Sequence, residues 1–172
     1  LSIQDFVIAT HCRNAKNGTV SFKFPADSLS KCVDENNLDI VILSAEIEKN
    51  QPLEEQFDPE TLERRLTDTL YPVADKRIVY VSSDAIFSGE KGEYTESDSP
   101  DPTTEYGRNL QVCESVVQSI CQNFVVVRPS YIFGFSSGQL DRRLQQTRDM
   151  LTLGKVPSYY VDMYKSPIHV GD

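Results

Sequence analysis

The chain has 172 residues, 39% of them hydrophobic and 25% charged, and a formal net charge of -9. This length allows one sizeable core, and the negative charge argues against a nucleic-acid partner, which needs clustered Lys and Arg. No apolar run is long enough to span a membrane and no signal-peptide pattern opens the chain, so we predict a cytoplasmic protein without a membrane partner.

Short apolar runs alternate with helical patterns along the chain, which predicts βαβ units and a mainly parallel sheet. The runs predicted as strands are Asp5–Thr10, Val20–Phe24, Leu38–Leu43, Arg77–Val81 and Phe124–Val127. Alternating polarity in Val20–Phe24 indicates an outer strand. The continuous apolar runs Leu38–Leu43 and Arg77–Val81 are typical of strands that are covered on both faces.

Three helices are predicted between these strands. Asp58 is a suitable N-cap, Pro59 suits the first helical position, and Phe57 can contact Leu62 across the first turn. Pro72 ends this helix, and Gly154 ends the last one. The three apolar stripes are Leu62, Leu66 and Leu70; then Leu110, Cys113, Val117 and Ile120; then Leu140, Leu144, Thr147 and Leu151.

The cysteines and the acidic residues are interpreted as structural. Cys12, Cys32, Cys113 and Cys121 form no CxxC pair and have no His or Cys neighbours at zinc spacing, so we expect reduced thiols and no metal site. Acidic residues concentrate in 46–63 and 90–105, where solvated faces are the simplest interpretation.

Four motifs follow one another in the middle of the chain. The strand at 78–81 leads into SSDAIFSG at 82–89, and an acidic, proline-containing loop follows. YGRNL at 106–110 then opens a helix, and RPSYIFG at 128–134 follows the next strand. Ligand sites in open α/β sheets form at the carboxyl ends of parallel strands, so this order predicts a site beside residues 82–89.

These motifs resemble the extended short-chain dehydrogenase/reductase family, and within it the dTDP-4-dehydrorhamnose reductases and their relatives. The resemblance is specific over residues 78–133 and weaker from about residue 5 to 167. It implies an α/β, Rossmann-like fold with a mainly parallel, doubly wound sheet and flanking helices, in which the first βα unit is missing. It also implies a partial NAD(P)-binding core at 1–134 and the start of a substrate-binding or cap region at 135–172.

The resemblance implies reduction of a carbonyl on a nucleotide-linked sugar, with NADP or NAD as cofactor. In such enzymes a serine polarises the carbonyl, and a tyrosine donates a proton as hydride arrives. A lysine four residues later lowers the pKa of that tyrosine from its ordinary value of about 10. The residues that match are Ser83 and Tyr106 for catalysis; Ser82, Tyr106, Arg128, Pro129 and Ser130 for the cofactor; and Asp84 and Phe87 for substrate.

Four departures from the family pattern leave it open whether the chain is an enzyme. Leu110 stands at the lysine position, Ala85 replaces a tyrosine that faces substrate, and no glycine-rich phosphate loop precedes residue 80. The family's asparagine in the helix before the serine strand also has no counterpart, because no Asn occurs between Gln51 and Arg77. One interpretation is a reductase-like protein of nucleotide-sugar metabolism with impaired catalysis. The other is a non-catalytic regulatory or scaffold member of the fold, such as the regulatory β subunit of methionine adenosyltransferase. A homodimer or a regulatory protein partner is compatible with both.

The missing first strand sets a topological question. In the family's sheet this strand lies between those that match Phe6–Thr10 and Leu38–Leu43, so its absence would leave two strand edges unpaired. Because the chain begins with Leu1, we interpret it as a piece of a longer protein or a shortened form, in which upstream residues supply the strand. The alternative is that Phe6–Thr10 moves to close the gap.

Overall fold

Two separate units make up the chain in the computed structural model, which describes residues 8–10, 19–22, 24, 26–44, 58–136, 138–162 and 164–171. The units are Leu1–Arg128 and Pro129–Asp172. The predicted boundary after residue 134 stays a prediction.

Parallel strands organise the first unit, as predicted. Its elements are β1 (Ile8–Thr10), β2 (Thr19–Ser21), α1 (Leu29–Glu35), β3 (Ile40–Leu43), α2 (Pro59–Leu70), β4 (Arg77–Val81), α3 (Glu105–Ile120) and β5 (Asn123–Val127). Short 3-10 turns follow α2 (Tyr71–Val73) and β4 (Asp84–Ile86). β1 pairs with β2, and β3, β4 and β5 form a parallel sheet in that order. The α/β class with a parallel sheet and flanking helices is therefore confirmed.

Strand bounds agree with the prediction best where local signals are strongest. β4 has the predicted bounds, but β3 begins at Ile40 rather than Leu38. The backbone N–H of Leu38 donates to the Val33 carbonyl at the end of α1 (3.0 Å), so Leu38 closes the helix instead of opening the strand. β2 ends at Ser21 rather than Phe24, and part of each of the first two predicted strands lies outside the described residues.

The core lies between the helices and one face of the β3–β4–β5 sheet. Asp58 caps α2 as predicted and accepts a hydrogen bond from the backbone N–H of Thr61 at 2.9 Å. The predicted contact of Phe57 with Leu62 cannot be described, because Phe57 lies outside the described residues. The buried cluster comprises Val33, Val41, Leu62, Leu66, Leu70, Val73, Ile78, Tyr80, Leu110, Cys113, Val116, Val117 and Cys121. The two predicted apolar stripes of α2 and α3 therefore supply much of the core.

The opposite face of β3 differs from the prediction. Val41 is buried, but Ile40 and Ile42 are 51% and 62% exposed. Each of α1, α2 and α3 contributes buried apolar residues to the same cluster as Val41, so the described helices cover β3 on one face only. The expectation that this run is covered on both faces is wrong for the residues that the structure describes.

The second unit consists of short elements. β6 (Ile132–Phe133) pairs in parallel with β9 (Ile168–His169), β7 (Phe135–Ser136) pairs in antiparallel with β8 (Gln139–Leu140), and α4 spans Arg142–Thr152. The third predicted helix is present, but Leu140 of its predicted stripe lies in β8 and not in the helix. The helix contains no buried residue, and Leu144 and Leu151 are 37% and 59% exposed. The apolar stripe of α4 therefore forms no core among the described residues.

The strand pairing answers part of the topological question. In the described chain β3 pairs with β4 and β1 pairs with β2, so β1 does not move beside β3 to close the gap. Cys32, Cys113 and Cys121 are buried and form no disulfide in the described chain, and Cys12 lies outside it. No helix among the described residues has both the length and the apolar character that a membrane crossing needs.

Candidate functional site at the carboxyl end of β4

A tight turn carries the predicted serine directly after β4. Ser83 is the N-cap of the 3-10 turn Asp84–Ile86, and the N–H of Phe87 closes this turn by donating to the Asp84 carbonyl at 3.1 Å. We call residues 83–87 the Ser83 turn. The Ser83 hydroxyl accepts from the N–H of Ala85 (3.3 Å) and donates to the Asp84 carboxylate (3.1 Å). A half-buried hydroxyl therefore stands at the strand end, with a carboxylate beside it.

The first turn of α3 lies against the Ser83 turn. A Cβ placed on Gly107 would stand 2.2 Å from the carbonyl oxygen of Ala85 and 2.7 Å from the Cβ of Pro102. This approach is possible only because position 107 has no side chain. Tyr106 is the preceding residue of the same turn; it is half-buried and packs against the core. The structure thus brings together the two turns that carry Ser83 and Tyr106.

Leu110 lies one turn further along α3 and is fully buried. It joins the core cluster with Cys113 and Val117. This confirms the sequence interpretation that Leu110 extends the apolar stripe of the helix. An apolar side chain therefore fills the place where the family motif has a lysine.

Ser82 lies between the end of β4 and the Ser83 turn and is 6% exposed. Its N–H donates to the Val127 carbonyl at 2.7 Å, which extends the β4–β5 pairing by one bond. Within the described part of the chain, its hydroxyl oxygen is buried without a hydrogen-bond partner. A buried hydroxyl without a partner is unfavourable, so this atom fits a polar ligand at the strand end.

Arg128 directly follows β5 and forms a buried ion pair with Glu114 of α3. Its Nε donates to Oε1 of Glu114 at 3.0 Å and its Nη2 donates to Oε2 at 2.6 Å. Glu114 is only 2% exposed, and its hydrogen bond raises the pKa of the Arg128 guanidinium above the ordinary value. The same guanidinium lies 5.3 Å from the ring centroid of Phe87 in the Ser83 turn.

The acidic loop, residues 88–101, is folded around one phenol. The Tyr94 hydroxyl accepts from the N–H groups of Gly89 (3.1 Å) and Lys91 (3.2 Å), and the Tyr94 ring stacks on Phe87 at 4.3 Å. Asp101 accepts from the hydroxyl and the N–H of Ser88, and these bonds lower the pKa of Asp101. The predicted solvated segment is therefore an ordered loop that packs on the Ser83 turn.

A second carboxylate of this loop is held by a cation. The ammonium of Lys91 and the N–H of Thr95 donate to Asp98, and the hydrogen bond from Lys91 is the main cause that lowers the Asp98 pKa to about 2. The exposed acidic character of the loop is thus partly compensated inside the loop.

The predicted site residues divide by unit. Ser82, Ser83, Asp84, Phe87, Tyr106 and Arg128 lie in the first unit, around the carboxyl ends of β4 and β5 and the start of α3. Pro129 and Ser130 begin the second unit and are half-buried. The catalytic, cofactor and substrate roles given to these residues stay predictions.

Sequence reasoning missed two residues that shape this site, Glu114 and Tyr94. Glu114 interrupts the apolar stripe of α3 between Cys113 and Val117, and a charge at a core position signals a buried partner. That signal was available in the sequence. Nothing local indicates that Tyr94 receives backbone N–H groups from its own loop.

Comparison with known proteins shows the family of the chain. The family described as "RmlD substrate binding domain" matches residues 25–154. The chain is 28% identical over 109 residues to the probable low-salt glycan biosynthesis reductase Agl14 of Haloferax volcanii, which covers 60% of this chain and 36% of that protein. These matches confirm the resemblance to the dTDP-4-dehydrorhamnose reductases that the motifs indicated.

Solved structures share the fold. A UDP-N-acetylglucosamine 4-epimerase from Bacillus cereus matches with a TM-score of 0.62 and 18% identity, over 95% of this chain and 59% of that one. A dTDP-4-dehydrorhamnose reductase from Bacillus anthracis, in complex with NADP, matches with a TM-score of 0.54 and 21% identity, over 72% and 45% of the two chains. The Rossmann-like fold is thereby confirmed, and the chain spans about a third to three fifths of these relatives.

The contact at Gly107 generates the first prediction. Replacing a helical glycine by alanine usually stabilises a protein by about 1 kcal/mol. Gly107→Ala should instead lower the free energy of unfolding by about 1–3 kcal/mol, because the new methyl group would overlap the Ala85 carbonyl. Urea denaturation measures this, with Ser115→Ala at an exposed position of α3 as the control. A more stable Gly107→Ala protein would contradict the contact.

The low pKa of Asp98 generates the second prediction. The folded loop favours the ionised carboxylate, so the stabilisation is present above the ordinary value of 3.8 and is lost as the pH falls from about 4 to about 2. The NMR shift of the Thr95 amide should titrate with a midpoint near 2. In Lys91→Met the midpoint should rise towards 3.8, and in Asp98→Asn this titration should disappear. An unchanged midpoint in Lys91→Met would show that Lys91 does not hold Asp98.

Proposed function

Because the chain belongs to the RmlD substrate binding domain family, we propose that it forms part of an NAD(P)-dependent reductase-like protein acting on a nucleotide-linked sugar, as in dTDP-4-dehydrorhamnose reductases. The observation that carries the proposal is the contact between the Ser83 turn and the first turn of α3 at Gly107. It supports a common cleft for a hydroxyl from Ser83 and a phenol from Tyr106, at the edge of a parallel sheet where such ligands bind.

Each residue has one task in this proposal. The Ser83 hydroxyl donates a hydrogen bond to the carbonyl oxygen of the sugar, and the Tyr106 phenol donates the proton that this oxygen gains. Asp84 and Phe87, in the same turn as Ser83, contact the sugar. Pro129 and Ser130, which follow β5 along the chain, contact the nicotinamide end of the cofactor.

The buried hydroxyl of Ser82 supports a polar ligand at this strand end. It has no hydrogen-bond partner among the described residues, and a bound dinucleotide offers the hydroxyl and phosphate oxygens that it needs. The cofactor, bound in its reduced form as NADPH or NADH, would supply the hydride and leave as NADP or NAD. The bound states of the structural relatives support this class of cofactor, since one of them holds NADP and another holds NAD.

Leu110 sets a limit on the chemistry. A lysine at this position would place a positive charge one turn from Tyr106, and a buried leucine places none there. Proton donation by the phenol is therefore slower than in a site with the lysine. The non-catalytic interpretation differs from this proposal in one respect, the absence of any turnover.

Ser82 provides the test of cofactor binding. Titration of the full-length protein with NADPH and with NADH, followed by nicotinamide fluorescence, should show saturable binding of at least one of them. Ser82→Ala should weaken this affinity about fivefold, because one hydrogen bond worth about 1 kcal/mol is lost. The unfolding free energy without nucleotide should not fall, since the hydroxyl has no partner to lose. Ser115→Ala is the control, and an absence of binding by the wild-type protein would end the proposal.

Leu110→Lys tests the chemistry. The lysine stem can cover the same apolar surface while the ammonium extends towards the first turn of α3. Turnover of a 4-keto nucleotide sugar with NADPH should rise at least about tenfold, and Tyr106→Phe should abolish it in either background. Stability should fall, because a cation replaces a fully buried leucine. If neither the wild-type nor the Leu110→Lys protein turns over any 4-keto nucleotide sugar, the regulatory interpretation replaces this one.

A further inference from the structure

Arg128 contacts two parts of the first unit that are distant in sequence. Its guanidinium edge forms the bidentate bond with Glu114 on α3, and its Cζ lies 5.3 Å from the ring centroid of Phe87. The side chains of Arg128 and Glu114 are 18% and 3% exposed. The guanidinium is thus fixed in position and orientation by a partner that is itself inside the core.

The orientation is more specific than stability requires. Two apolar side chains of similar size can replace a buried ion pair without loss of stability. A bidentate bond adds directionality, because the planar fork of an arginine fits a carboxylate in a narrow range of geometries. The ion pair of Arg128 with Glu114 fixes the position of the guanidinium plane. The ring beside this plane is that of Phe87, at the end of the Ser83 turn.

Phe87 transmits this position to the backbone. Its N–H closes the Ser83 turn at the Asp84 carbonyl, and its ring also stacks on Tyr94 at 4.3 Å. The Tyr94 hydroxyl in turn holds two N–H groups of the acidic loop. The ring of Phe87 therefore connects the end of the Ser83 turn to an anchored guanidinium and to an ordered loop.

We propose that Arg128 is a positioning residue, whose guanidinium, held by Glu114, fixes Phe87 and through it the direction of the Ser83 hydroxyl and the Asp84 carboxylate. Arg128 acts through the turn rather than on the reacting atoms. The catalytic part of this inference rests on the proposed function, whereas the effect on the turn does not depend on it.

Three variants separate positioning from simple support of the core. Arg128→Lys keeps the positive charge but removes the bidentate hydrogen bonding to Glu114 and the planar group beside Phe87. Glu114→Leu combined with Arg128→Met removes both charges, so that neither is left unpaired in the core. Phe87→Leu leaves the ion pair intact and removes the ring. The control is Lys31→Met, which breaks the exposed pair of Lys31 with Glu35 on α1.

Hydrogen exchange of the Ala85 and Phe87 amides measures the turn directly, and the Ile78 amide of β4 reports opening of the core. In all three variants, exchange at Ala85 and Phe87 should rise about tenfold relative to Ile78, and Lys31→Met should change neither. Unchanged relative exchange in the stable Glu114→Leu/Arg128→Met protein would overturn the proposal. Equal acceleration at all three amides in the three variants would also overturn it, since that is the result of a purely structural role.

Kinetics provide a separate readout. With NADPH and a 4-keto nucleotide sugar, Phe87→Leu and Arg128→Lys should lower kcat about tenfold. KM for NADPH should stay unchanged in Arg128→Lys, because the proposal assigns Arg128 to positioning instead of the cofactor contact that the resemblance implies. If exchange at Ala85 and Phe87 rises relative to Ile78 but neither the wild-type protein nor any variant shows turnover, the positioning role of Arg128 stands and the proposed function fails. If turnover is present and kcat is unchanged in both variants, the inference about Arg128 fails and the proposed function stands.

Discussion

The absence of a side chain at Gly107 is the constraint on which the candidate site depends. Parallel pairing of β3, β4 and β5 brings their carboxyl ends to one edge, but it does not determine how closely the next helix approaches that edge. The Ala85 carbonyl lies 2.2 Å from where a Cβ of residue 107 would be, well inside van der Waals contact. Any larger residue would move α3 away, and Tyr106 would move with it.

This close approach also requires that the Ser83 turn keep its own shape. Two hydrogen bonds close the turn. The Ala85 N–H donates to the Ser83 hydroxyl oxygen at one end, and the Phe87 N–H donates to the Asp84 carbonyl at the other. Neither bond is strong by itself, since each contributes about 1 kcal/mol. Contacts from α3 on one side and from the anchored guanidinium and the acidic loop on the other therefore stabilise a turn that local bonds alone would hold weakly.

The sequence predicts those parts of the fold that local physics determines. The bounds of β4 and the start of α2 are predicted correctly, because an apolar run and an Asp58-Pro59 cap are local signals. The seven-residue helix α1 was not predicted, since so short a segment shows little periodicity. The exposed face of β3 was also not predicted, because its cover depends on which elements pack nearby and not on the run itself.

The site divides in the same way. Ser83 and Tyr106 were found from motif and spacing, and Leu110 was correctly interpreted as a core residue from its register on α3. The roles of Gly107 and Glu114 depend on contacts with residues 22 and 14 positions away in sequence. A carboxylate on an apolar stripe indicates that Glu114 has a buried partner, but it does not identify Arg128 as that partner.

Positions 106, 110 and 114 lie on successive turns of one helix face, and the free energy of a change differs between them. At position 110, leucine in place of lysine removes the desolvation of an ammonium and adds buried apolar surface, so the core tolerates the change. At position 114, loss of the carboxylate would leave Arg128 charged and poorly solvated, at a cost of about 3–5 kcal/mol. The helix can therefore carry leucine at position 110 at little cost in stability, whereas the loss of Glu114 would destabilise it and release Arg128. The geometry around Ser83 is therefore more resistant to substitution than the chemistry proposed for it.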